Sequence, residues 1–138
     1  MQEIGSMELR RILATVFGIF FLYTGLLHFT DTDWFEPIVP SILGSPPFWV
    51  LASGVAEILL GFGLILPQTK EISGYAAAAF LVLIYPANLY MWIYDIELGD
   101  GASLSPNGHI MRLFAQIAMI GLGLWIGGWS PNRSSVES

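Results

Sequence analysis

The chain has 138 residues, 54% hydrophobic and 12% charged, about half the charged share of a typical soluble domain, which excludes an ordinary soluble fold. Its net charge of −6 comes from only 11 acids and 5 bases, so the placement of charge says more than its sum. The absence of cysteine excludes disulfide frameworks, CxxC redox motifs, thiolate metal sites and a cysteine nucleophile, and any redox role must borrow a cofactor or a partner.

Four apolar runs, about Leu9 to Phe29, Phe48 to Leu66, Ile72 to Tyr94 and Ile110 to Trp129, approach or exceed the roughly 20 residues that a spanning helix needs. None alternates as a barrel strand would, so helices are the expected spanning element. The expected fold class is all-α, an integral membrane four-helix bundle. Residues 1–8 read as an N-terminal lead, 9–129 as the membrane domain and 130–138 as a polar, disordered tail. No small-residue cleavage site follows the first run, which is therefore expected to stay as an anchor.

Orientation follows from the basic residues. Arg10 and Arg11 precede run one, Lys70 lies between runs two and three, and Arg133 follows run four. The opposite connections hold Asp31, Asp33 and Glu36, then Asp95, Glu97 and Asp100. The positive-inside rule then puts both termini of a multi-pass membrane protein in the cytoplasm.

The first outer connection, DTDWFEPIVPSILGSPP, combines four prolines with Trp34, Phe35, Ile38, Val39, Ile42 and Leu43. It is expected to lie at the outer interface as a cap, either an ordered turn with aromatic anchors or a lid. The second, IELGDGASLSPNG, reads as a flexible loop. Gly54 and Gly61 with Ser53, the run Ala76 to Ala79, and Gly121, Gly123, Gly127 and Gly128 give the helices room for close approach.

Glu57 stands near the middle of run two, where a carboxylate costs a few kcal/mol and calls for a partner. Placing the helical polar groups by depth brings His28, Glu57, Asn88, Arg112 and Gln116, with Thr24 one turn below His28, into the outer half of the bundle. Arg112 is the expected partner of Glu57, since its planar fork can hold a carboxylate through two hydrogen bonds. Asn88 and Gln116 would satisfy what remains. Such a pair could staple runs two and four, or it could form a polar pocket for a small hydrophobic ligand with a polar head. Tyr85 and Trp92 bracket Asn88 at i−3 and i+4, as core aromatics or as walls for a planar ligand such as a quinone ring. His109, following SPNG, reads as a loop-edge residue, which argues against a haem pair with His28. No spacing motif supports a metal, no catalytic residue is assigned, and no nucleic-acid surface is present.

The segments GLLHF, WFEPIVP, SGVAEILLGFGLILPQTK, YPANLYMW and RLFAQ together resemble the DoxX-like family of small bacterial four-helix membrane proteins. The resemblance covers about Arg11 to Trp129. It implies that the family's polar positions fall on His28, Glu57, Asn88, Arg112 and Gln116. One departure is Phe114, where relatives often carry proline, which implies a straighter fourth helix and an altered pocket. The family name derives from a membrane subunit of a quinone-linked sulfur oxidation system, other members are associated with redox complexes, and animal relatives assist receptor assembly. The resemblance therefore implies a quinone- or lipid-binding subunit that supports a redox or other membrane partner, more than a stand-alone enzyme. Alternatives are a non-catalytic assembly factor and a small-solute transporter.

Overall fold

The computed structural model of the chain describes residues 2–94, 96–97 and 105–128. Most of the second connection, with Asp95 and Asp100, and the 130–138 tail with Arg133 lie outside the described residues. Among the described residues there is no strand. The helices are α1 (Gln2–Thr30), a short α2 (Thr32–Phe35), α3 (Pro46–Ile65), α4 (Lys70–Ile93) and α5 (Pro106–Ile126). Four of them, Met7–Thr30 within α1 and the whole of α3, α4 and α5, are long and apolar enough to cross a membrane.

The helix limits follow local chemistry. Pro46 and Pro106 sit in the first turns of α3 and α5, where a missing N–H does no harm. Ser105 caps α5, its hydroxyl accepting from the Gly108 amide at 3.1 Å. Between α3 and α4 the turn is tight, and the Thr69 hydroxyl donates to the Gly63 carbonyl at 2.7 Å, satisfying one of the carbonyls that a helix end leaves unpaired.

Each spanning helix packs antiparallel on the next, and α5 closes the ring on α1. Glycine sets two of these contacts. A Cβ on Gly18 would stand 2.6 Å from the Gly61 carbonyl oxygen, and one on Gly61 2.8 Å from that of Gly18. Gly74 of α4 and Gly123 of α5 meet in the same reciprocal way, at 2.6 and 2.7 Å. Backbones this close gain van der Waals contact, which replaces the hydrophobic drive that lipid removes. Large apolar side chains such as Ile12, Leu59, Leu83 and Phe114 are exposed on all four long helices, as contact with lipid requires.

The two halves of the ring differ. Ala14, Phe17, Phe21, Leu64, Ala77 and Ile126 fill the half nearest Arg10, Arg11 and Lys70 with a close apolar core, in which Phe21 meets Phe17 at 4.8 Å and Phe80 at 6.2 Å. The other half carries the polar groups. Over it lies the first connection, as α2 and two 3-10 turns, Glu36–Ile38 and Ser41–Leu43. Its anchor is local: the Trp49 indole donates to the Leu43 carbonyl at 2.8 Å, while Ile42 at the tip is 90% exposed.

Candidate functional site

The five polar residues expected to meet share one half of the bundle but form two clusters on different helix pairs. Glu57 does not contact Arg112. This corrects the expected ion pair, and the reason is rotational. Gly54, Glu57 and Gly61 occupy one face of α3, and that face is the one pressed against α1 through Gly18 and Gly25. The carboxylate is carried to α1 with it.

The first cluster lies between α1 and α3. Oε2 of Glu57 is 3.6 Å from Nε2 of His28 and has no hydrogen-bond partner among the described residues. Nδ1 of His28 lies 3.0 Å from the Val50 carbonyl and 3.1 Å from the Ser53 hydroxyl, which itself donates to that carbonyl at 2.9 Å. Since Val50 can only accept, Nδ1–H donates to it and Nε2 is left to the carboxylate. Phe35 of α2 covers the imidazole at 4.3 Å, so the first connection does cap a polar group. A Cβ on Gly54 would come within 2.8 Å of that of His28. The two helices are therefore in close contact at this cluster.

The second cluster lies between α4 and α5. Asn88 donates to Oε1 of Gln116 at 2.8 Å and accepts from Nη2 of Arg112. Nη1 of Arg112 meets the Met91 sulfur at 2.7 Å. Nε2 of Gln116 donates to the Leu81 carbonyl, in the turn where Pro86 leaves the Val82 carbonyl without its usual donor. Arg112 has no carboxylate within ion-pair distance among the described residues. That is an unusual state for a half-buried cation.

These side chains surround a cavity of about 10 Å³, lined by Tyr85, Asn88, Leu89, Trp92, His109, Arg112, Leu113 and Gln116, room for roughly one water. Tyr85 and Trp92 thus stand at the cavity with Asn88, but Trp92 already presents one face to His109, stacked at 5.6 Å and 5°. His109 is the residue that sequence reasoning misplaced. Only 5% exposed, it is not at a loop edge, because α5 starts at Pro106 rather than Ile110. Its Nε2 is buried without a partner. The Ser105-Pro106 pair, a cap followed by proline at the first helical position, was the signal. Phe114 is 66% exposed and faces away from the cavity, so its departure from the expected proline leaves the lining untouched. No group of three or more metal-ligating residues occurs among the described residues.

Residues 17–127 match the family described as a domain of unknown function (DUF8561), and the chain belongs to that family. No curated protein and no solved structure matches it.

Proposed function

We propose that this chain is a binding subunit of a bacterial inner membrane, with both termini cytoplasmic, that holds the polar head of a quinone or lipid-like molecule between α4 and α5 and so supports a membrane redox partner. The observation that carries the reading is Arg112: a guanidinium tied to Asn88 and Met91 beside a cavity, with no carboxylate within ion-pair distance among the described residues. Keeping a cation in such a place is costly unless something binds it. The resemblance to DoxX-like proteins, on YPANLYMW and RLFAQ, supports the same helices. A cavity of about 10 Å³ does not take a quinone ring as it stands. One oxygen of a head group fits, with ring or acyl chains outside among the lipid-facing side chains.

Native mass spectrometry of the gently extracted protein tests this reading. A small-molecule adduct on the wild type and on Glu57→Gln, lost from Arg112→Gln, supports it; a bare chain in all three rejects it. The His28–Glu57 pair favours a second role in the same protein, fixing α1 against α3, as an assembly factor would need. A transporter is disfavoured by so small an interior.

A further inference from the structure

Taking the α4–α5 cavity as a head-group site, we infer that the group it recognises is a phosphate oxygen anion rather than a neutral carbonyl. Asn88 spends its amide on Gln116 and its oxygen on Arg112, and Gln116 spends its own amide on the Leu81 carbonyl. The network therefore ends on backbone, and each of its two side-chain amide oxygens already accepts one hydrogen bond.

What is left over are donors. A guanidinium carries five N–H groups, and the contacts of Arg112 go to a neutral oxygen and a thioether, the latter a weak acceptor. His109, three residues earlier and on the same face of α5, lines the same cavity, and its Nε2 is buried without a partner. Its ring is stacked on Trp92, and in the tautomer that carries its proton on Nε2 it adds a donor. The missing component is an acceptor, and the charge of Arg112, which meets no carboxylate among the described residues, makes it an anionic one. A quinone oxygen would satisfy the hydrogen bonds and leave the cation unbalanced; a phosphate oxygen does both. The cavity admits one water-sized atom, which matches a single phosphate oxygen entering while the ester stays at the mouth.

The test uses the full chain in neutral detergent, titrated in native mass spectrometry with phosphatidylglycerol, diacylglycerol of the same acyl chains, a short-chain quinone, and inorganic phosphate. Phosphatidylglycerol is expected to be retained about tenfold better than diacylglycerol, the factor that one charge-assisted hydrogen bond carries. That preference is expected to vanish in Arg112→Gln and to survive in part in Arg112→Lys. His109→Gln, with helicity checked by circular dichroism, is expected to weaken it too and serves if Arg112→Gln does not fold. Competition by inorganic phosphate would make the source aqueous, and its absence would make it the lipid; either keeps the phosphate. Equal retention of phosphatidylglycerol and diacylglycerol overturns the inference. Retention of the quinone alone overturns it and leaves the head-group site standing, and retention of none overturns both.

Discussion

Nε2 of His28 faces Oε2 of Glu57 at 3.6 Å, while Arg112 turns its guanidinium to Asn88 and Met91 on the other helix pair. The polar half of the bundle is thus two devices. One is closed and braced by glycine contacts; the other has a cavity and unmatched donors.

The closed device is expected to behave as a structural pair. Removing one member of a buried polar pair leaves the other without its partner, so His28→Leu is expected to cost about 1–3 kcal/mol. The double variant His28→Leu, Glu57→Leu is expected to recover most of that loss, because apolar replacement of a buried pair is often neutral. Unfolding in mixed micelles measures both; additive losses would show that the two side chains do not act together.

Glycine contacts give a contrast within one residue type. Gly61→Ala places a methyl 2.8 Å from the Gly18 carbonyl oxygen and against Leu22, and overpacking of this kind costs about 1–3 kcal/mol. Gly121 has nothing within 4 Å of the added carbon. There alanine is expected to be neutral or to stabilise by about 0.5–1 kcal/mol through helix propensity. Thermal midpoints of the two variants decide, and similar values would place the α1–α3 contact elsewhere.

Separation of the two clusters is measurable as coupling energy. A double-mutant cycle on Asn88 and Gln116, which share a 2.8 Å hydrogen bond, is expected to give about 0.6–1.7 kcal/mol, the range for interhelical hydrogen bonds in membranes. The same cycle on Glu57 and Gln116 is expected to give none beyond about 0.5 kcal/mol, as for sites without shared partners. Strong coupling in the second cycle would restore a single cluster.

Orientation can be read with one label, since the chain has no cysteine of its own. Ser41→Cys in the capping connection and Gln68→Cys in the turn between α3 and α4 lie at opposite ends of α3. In intact cells a membrane-impermeant maleimide is expected to reach the first and not the second. The reverse pattern would invert the topology.

The spans were legible in the sequence because length and apolarity decide them, and the helix limits fall within a few residues of the apolar runs except at the start of α1, which begins at Gln2 rather than near Leu9. The confinement of His28, Glu57, Asn88, Arg112 and Gln116 to one half was legible too, since helical rise fixes position along the axis. The partner of Glu57 was not, because depth says nothing of rotation. A rotational signal existed: Gly54, Glu57 and Gly61 share a face of α3, and Gly18, Gly25 and His28 share one of α1. Pairing those faces brings Glu57 to His28. His109 was lost by starting α5 four residues late, although Ser105 and Pro106 mark its start.

The central claim is that a ligand's head lies between α4 and α5 and not at Glu57. A phospholipid with a photoreactive group near its phosphate, crosslinked in native membranes and mapped by peptide sequencing, tests it directly. Label is expected on Tyr85 to Trp92 and on His109 to Gln116, lost in Arg112→Gln and kept in Glu57→Gln. Label centred on Val50 to Glu57, or unchanged by Arg112→Gln, would contradict it.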